Sequence, residues 1–139
     1  MIFYFLLCSW RVADLAIAMA YSLLTTYSTS TNRSLSASAI FLRAFQSKYP
    51  LTKVEIQHLR ILIQSRLAQS VTYGAFTYAQ NPENEYILLH SKPGWNALEM
   101  FWGGGKERKE KIDGLYVTAS SGQIDDVSDI HLLDSDVIG

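Results

Sequence analysis

Three observations predict a mainly α-helical fold. Apolar residues recur at spacings of three and four in several stretches, which is the pattern of a helix with one buried face. Thr52 and Glu55 have the S/T-x-x-E spacing of a helix capping box. The 139 residues are 48% hydrophobic and 18% charged, which is a globular composition in a chain long enough for one core.

The first predicted helix covers residues 12–27 and is apolar nearly all round, as is typical of a buried helix. Its expected inward residues are Val12, Leu15, Ala16, Met19, Leu23 and Leu24. Residues 28–33, STSTNR, are expected to break the helix because their side chains compete for backbone hydrogen bonds. Ser34 is then expected to cap a second helix over 35–48, with Leu35, Ile40, Phe41, Ala44 and Phe45 inward.

A third helix is predicted to begin after Thr52. Each side chain of the capping box satisfies a backbone N–H of the first turn, and Leu51 and Ile56 are spaced as a hydrophobic staple. The expected inward stripe is Ile56, Leu59, Ile63 and Leu67, and the expected wet face is Lys53, Gln57, Arg60 and Gln64. Residues 70–82 stay open between a strand, favoured by aromatic and β-branched residues, and a continuation of the helix.

Glycine and proline divide the rest of the chain. Pro82 and Pro93-Gly94 bound a short apolar segment, and WNALEMFW predicts a further short helix that the glycines 103–105 end. The stretch WGGGK is not a Walker phosphate loop, because its lysine is followed by Glu107 rather than Ser or Thr. We expect residues 103–139 to form a charged, acidic and poorly ordered tail, since six aspartates and no lysine or arginine follow Ile112.

Charge and cysteine content narrow the classes of function. A net charge of −1 is unlike the basic surface of a nucleic-acid-binding protein. Residues 1–10 are apolar, but no basic residue precedes this run, and Arg11 and Asp14 end it early. We therefore expect no association with a membrane. A signal or anchor at residues 1–10 is the alternative. The single cysteine, Cys8, suits a reducing compartment and a cytoplasmic location.

No catalytic residue and no metal ligand is assigned from the spacing of the sequence. Cys8 and His90 lack a third group that would orient the base of a nucleophile–base pair. His90 and His131 do not fall at a spacing typical of metal ligands. We therefore expect no metal or cofactor for this chain alone.

Four pieces of the chain, in their order and spacing, resemble a known family: ADLAIAMAYSLL, FQSKYPLTKVEIQHLRILIQSRLAQS, GAFTYAQNPENEYILLHSKPGW and NALEMFW. Together they resemble the C-terminal part of hydroxylysine kinases, which belong to the aminoglycoside/choline phosphotransferase superfamily. The resemblance covers residues 12–102. It implies the helical part of the C-terminal lobe of a protein-kinase-like fold, with an atypical apolar N-terminus at residues 1–11 in place of the metal-binding segment.

The resemblance implies a small-molecule kinase that uses ATP or GTP with magnesium to phosphorylate the hydroxyl of 5-hydroxy-L-lysine, an amino alcohol. Such enzymes need a catalytic-loop aspartate and a metal-binding aspartate. The His-Gly-Asp of that loop does not occur in the 139 residues, nor does a glycine-rich nucleotide loop. We therefore expect a truncated chain, with the N-lobe and catalytic loop missing, that is inactive alone. Whether the chain is an enzyme stays open.

Two residues receive roles from the resemblance. Asp14 corresponds to the aspartate that braces the backbone of the catalytic loop, although a charge favoured by the helix dipole is a local explanation that is compatible with it. Arg66 could face the carboxylate of the substrate, and a structural ion pair is the alternative. The alternative function is a non-catalytic interaction module that self-associates through the exposed face left by the missing lobe.

Overall fold

The computed structural model describes residues 10–26 and 31–122, with the side chains of five helical residues left aside. Five helices follow one another in this part: α1 Arg11–Thr26, α2 Thr31–Lys48, α3 Lys53–Gln80, α4 Glu85–Trp102 and α5 Gly105–Ser120. The described residues contain no strand, so the prediction of a mainly α fold is confirmed. None of these helices is long and apolar enough to span a membrane.

Helix α1 buries one face and leaves the other partly exposed. Its predicted inward residues are buried, except that Leu24 is only partly covered. Asp14 and Tyr21 on the opposite side are exposed. Helix α1 packs against α2, α3 and α4, so the predicted inward side is buried, while the side of Asp14 and Tyr21 stays open within the described residues.

Helix α2 buries only part of the predicted face: Leu35 is buried and Phe45 packs partly against the core, whereas Ala44 is exposed. It begins at Thr31 rather than after Ser34, and Ile40 and Phe41 are 41% and 44% exposed. The residues that it buries are Ser34, Leu35, Ser36, Ser38, Ala39 and Leu42. The predicted inward set contained no serine, whereas a helical serine can satisfy its hydroxyl locally, as Ser38 Oγ does by donating to the Leu35 carbonyl at 2.7 Å.

Helix α3 runs without a break through the stretch that was open between strand and helix. The capping box is confirmed: Thr52 N donates to Glu55 Oε2 at 2.7 Å, and Glu55 N donates to Thr52 Oγ1 at 3.2 Å. The predicted stripe is buried at Leu59, Ile63 and Leu67, and Val71 extends it. Beyond Val71 no residue of α3 is buried.

Helix α4 continues through Pro93, where the sequence predicted a break. The absence of a side chain at Gly94 allows α4 to lie where it does. A Cβ there would lie 2.8 Å from Val71 Cγ1 and 3.8 Å from Leu24 Cδ2. The missing side chain lets α4 approach α3 and α1 closely. The helix ends at Trp102, and Gly105 has a φ of +66°, so the predicted glycine stop is confirmed.

Helix α5 corrects the prediction of a poorly ordered tail, which is wrong for residues 105–120. Its charged residues form exposed pairs one turn apart, Lys106 with Glu110 and Glu107 with Lys111, while its other side is buried at Ile112, Leu115, Tyr116 and Ala119. In the sequence, the high charge of this segment hid the helical spacing of these apolar residues, so a disordered tail was predicted. Residues 123–139 of the predicted tail, and residues 1–9 of the predicted N-terminal segment, lie outside the described residues.

Polar contacts join α5 to the rest of the core. The Tyr116 hydroxyl lies 3.0 Å from Ser38 Oγ of α2, and burial raises the pKa of Tyr116 above its ordinary value. Arg60 of α3 donates to Asp113 Oδ1 at 2.8 Å, so Arg60 belongs to a helix contact rather than to the predicted wet face. Helix α5 is therefore an integral part of the core.

We expect Leu115→Ala to destabilise the protein by about 2–5 kcal/mol, since it empties a fully packed position. Val117→Ala on the same helix is the control, because Val117 is 52% exposed and surface changes cost about 0.5 kcal/mol or less. Urea unfolding measures both. Equal, small losses would contradict the packing of α5 in the core.

Gly94→Ala and Gly74→Ala form a matched pair within the α3–α4 contact. Ala at 74 meets only Ser91 Cβ at 3.9 Å, so we expect about 1 kcal/mol of stabilisation from helix propensity. Ala at 94 gains the same propensity but must displace Val71, and we expect a net loss of about 1–3 kcal/mol. Thermal unfolding measures the two shifts, and shifts of the same sign would contradict the close approach.

Candidate functional site

The outward side of α1 carries the first predicted site residue. Asp14 and Tyr21 are two helical turns apart and therefore share one face, together with the half-buried Ile17 and Ala18. We call these four residues the α1 outer face. It is the part of this otherwise apolar helix that the described helices leave uncovered.

Asp14 lies in the first turn of α1 and is exposed. Within the described residues, no hydrogen bond or ion pair involves its carboxylate. A carboxylate in the first turn is favoured by the helix dipole, which agrees with the local explanation for its position. The geometry leaves the carboxylate accessible to a group outside this part of the chain.

Arg66, the second predicted site residue, lies beside the same face. Its Nη2 donates to the Tyr21 hydroxyl at 3.2 Å, its Nη1 donates to Gln69 Oε1, and the guanidinium carbon lies 5.8 Å from the centre of the Tyr21 ring. No carboxylate of the described residues pairs with it. The predicted structural ion pair is therefore not found there, and a tyrosine and a glutamine hold the guanidinium instead.

The cleft beside Arg66 is small. It is lined by Ala20, Tyr21, Leu24, Arg66, Leu67 and Ser70, and its volume is about 10 Å³. A cavity of that size holds about one water molecule, so an amino acid does not fit between α1 and α3 at this point. A ligand of the remaining guanidinium N–H groups would have to approach from the solvent side.

Arg11 and Glu55 form a contact that the sequence did not reveal. Arg11 Nε and Nη2 donate to the two carboxylate oxygens of Glu55, each at 3.0 Å, and the Glu55 side chain is only 10% exposed. The capping box could be found from the spacing of Thr52 and Glu55. Its second partner lies 44 residues away, where no local pattern points to it.

The charge of Arg11 and the capping hydrogen bonds stabilise the ionised form of Glu55. The Arg11 hydrogen bonds, followed by the Thr52 backbone N–H, lower the pKa of Glu55 to about 2 from an ordinary 4.5. The ion pair therefore fixes the beginning of α1 on the beginning of α3 at neutral pH. The contact therefore positions the two helices relative to each other.

The described residues hold no group of three His, Cys, Asp or Glu side chains that could bind a metal ion. We derive no step through a metal ion or a nucleotide in this part of the chain. Cys8, His131 and the side chain of His90 lie outside the described residues.

Comparison with curated proteins supports a kinase-like family for the chain. The similar proteins are named hydroxylysine kinase. The chain is 34% identical to the protein of Xenopus laevis and 34% identical to that of Mus musculus, each over 104 residues that make up 74% of this chain and 26% of the relative. It is 38% identical to the protein of Bos taurus over 72 residues, which are 51% of this chain and 19% of the relative.

The chain thus spans about a quarter of the length of the curated relatives that it matches. No model of a protein family matches it. No solved structure matches it at a significant level. The similarity in sequence supports the hydroxylysine kinase family, while the place of the chain within the kinase fold stays a prediction.

We expect Glu55 to make stability depend on acid. Because the folded-state pKa is lowered from 4.5 to about 2, the contribution of Glu55 is fully present above pH 4.5 and is lost as pH falls toward about 2. Glu55→Gln should be less stable than the parent at neutral pH, and the difference should close over that range. Urea midpoints against pH measure it.

Glu107→Gln is the control for this titration, because Glu107 lies on the solvent side of α5 with 81% of its side chain exposed. We expect its stability curve to run parallel to that of the parent chain. A Glu55→Gln curve that also ran parallel to the parent between pH 4.5 and 2 would show that the Arg11 contact does not form in solution.

Proposed function

We propose that the chain is a hydroxylysine kinase-like protein and corresponds to the helical subdomain of the C-terminal lobe in that family. The observation that carries the proposal is the similarity over three quarters of the chain to proteins named hydroxylysine kinase. The all-helical architecture of the described residues is compatible with such a subdomain. The family reaction is the nucleotide-dependent phosphorylation of 5-hydroxy-L-lysine.

In this proposal the α1 outer face meets the catalytic loop of the complete kinase. Asp14 accepts hydrogen bonds from backbone N–H groups of that loop, as its exposure and its lack of a partner in the described residues allow. Helix α1 leaves two apolar side chains, Ile17 and Ala18, only half covered by the described residues. A protein segment packed on this face would complete their burial.

Arg66 is the proposed ligand for the carboxylate of the amino-acid substrate. Two of its five N–H donors are used by Tyr21 and Gln69, which leaves others for a carboxylate. The small cleft behind it requires that the substrate bind on the solvent side. The cation–π contact with Tyr21 would hold the guanidinium in place for such binding.

The 139 residues are proposed to be inactive by themselves. Phosphoryl transfer depends on positioned phosphates, a metal ion and an aspartate that accepts the hydroxyl proton. The 139 residues contain no His-Gly-Asp catalytic loop, and the described residues contain no cluster of metal ligands. Catalysis in this family then needs residues beyond these 139, and the cytoplasm is the proposed location.

An assay of the purified chain tests the activity. We expect no release of ADP or GDP that depends on 5-hydroxy-L-lysine, with the hydroxylysine kinase of Mus musculus as the positive control under the same conditions. Turnover by the chain at a rate comparable with that control would overturn the proposed inactivity. The measurement is nucleoside diphosphate formation with and without the amino acid.

Sequencing the messenger RNA gives a separate test of the family assignment. We expect the reading frame upstream of the Met1 codon to encode His-Gly-Asp followed five residues later by Asn, and then the metal-binding aspartate. An upstream frame that encodes an unrelated protein would contradict the proposed place of the chain in the kinase fold, whatever the activity of the 139 residues.

A further inference from the structure

The second half of α3 projects beyond the core and carries exposed aromatic residues. The buried stripe of the helix ends at Val71, whereas Tyr73 and Phe76 are 71% and 59% exposed. One side of this projecting part is occupied by α4, because Gly74 approaches Ser91. The other side is uncovered by the described residues.

The residues on that other side form one stripe along the helix. Arg66, Gln69, Tyr73, Phe76 and Gln80 follow one another at intervals of three and four, so they lie on one helix face. Val71, which packs into the core, lies on the opposite face. We call these five residues, with Glu83 in the turn that follows, the α3 outer stripe. Glu83 is exposed.

The residue types of the α3 outer stripe are arranged symmetrically about the centre of the stripe, which lies between Tyr73 and Phe76. Gln69 precedes Tyr73 by four residues, and Gln80 follows Phe76 by four. Arg66 precedes Tyr73 by seven residues, and Glu83 follows Phe76 by seven. Along the sequence, a basic residue near one end thus matches an acidic residue beyond the other, amides match amides, and the centre is aromatic; α3 itself ends at Gln80, so Glu83 belongs to the turn that follows the helix.

We propose that the α3 outer stripe is a docking surface for a second copy of the chain, related by a two-fold axis that passes between Tyr73 and Phe76. Two α3 helices then pack antiparallel with the same surface on both copies. Tyr73 faces the partner's Phe76, Gln69 faces the partner's Gln80, and Arg66 faces the partner's Glu83. This inference does not rest on the proposed function, and at Arg66 the partner's Glu83 and the proposed substrate carboxylate are alternative ligands of the same guanidinium.

The charges support this choice of occupant over an unrelated protein. An isologous arrangement places both pairs of opposite charge at the two ends of the contact, which fixes the register and the antiparallel direction. A parallel pair would instead place Arg66 against the partner's Arg66. The Tyr21 and Gln69 contacts already orient the guanidinium of Arg66, so fewer side-chain rotamers are lost on docking.

The size of the stripe predicts a weak complex. An aromatic side chain offers about 150–250 Å², so the exposed parts of Tyr73 and Phe76 contribute about 250 Å² from each copy. Interfaces that bury less than about 1,200 Å² in total belong to weak and transient complexes. We therefore expect association that depends on concentration rather than a permanent dimer.

Charge reversal in the full 139-residue chain tests the proposal by sedimentation velocity over a range of concentrations. Arg66→Glu alone places two acidic residues together at each end, and Glu83→Arg alone places two basic residues together. Each single variant should weaken self-association about tenfold or more. A mixture of the two variants restores both opposite-charge pairs, so the mixture should associate as the parent chain does.

Two control sets separate docking from folding. Lys106→Glu and Glu107→Arg change exposed charges on α5 and should leave association unchanged, alone and mixed. Phe76→Ala should weaken association, whereas Ile61→Ala, at a 50% exposed position of α3 outside the stripe, should not. Far-ultraviolet circular dichroism checks that each variant keeps its helices.

Three results would overturn the proposal. They are a parent chain that stays monomeric at every concentration, single variants that associate as strongly as the parent, and a mixture that associates no better than the single variants. The last of these would show that the ends of the stripe do not face each other, even if the chain self-associates by another surface.

Discussion

The packing of one face of α3 is the constraint on which the rest of the structure depends. Leu59, Ile63, Leu67 and Val71 form a continuous buried stripe, and α1, α4 and α5 all pack against this helix. At 1.5 Å per residue, the 28 residues of α3 extend over about 42 Å. The stripe covers only the first two thirds of that length, so the helix both organises the core and projects beyond it.

Polar contacts fix the angles at which the other helices meet this stripe. Arg11 and Glu55 join the beginnings of α1 and α3, and Arg60 and Asp113 join α3 to α5. The apolar contacts alone allow small rotations of one helix on another, since hydrophobic burial has no direction. A bidentate arginine–carboxylate pair has a defined geometry. The Arg11–Glu55 pair is bidentate and restricts such rotations most, whereas Arg60 donates a single hydrogen bond to Asp113.

Local patterns predicted the elements better than they predicted the faces. The capping box, the stripe of α3 and the inward residues of α1 follow from spacing alone, and the structure confirms them. The inward face of α2 followed only at Leu35 and Phe45, because the buried Ser38 looks polar in sequence but satisfies its hydroxyl at the Leu35 carbonyl. Pro93 and the charge run of α5 suggested breaks that tertiary packing at Gly94 and Tyr116 overrides.

Site residues were harder to predict because their partners lie far away in sequence. Arg66 was expected to face a carboxylate, yet a tyrosine 45 residues away receives its hydrogen bond. That contact places Arg66 at the boundary between the α1 outer face and the α3 outer stripe. The α1 outer face and the α3 outer stripe therefore meet at the guanidinium of Arg66, which donates to Tyr21 of the first and to Gln69 of the second.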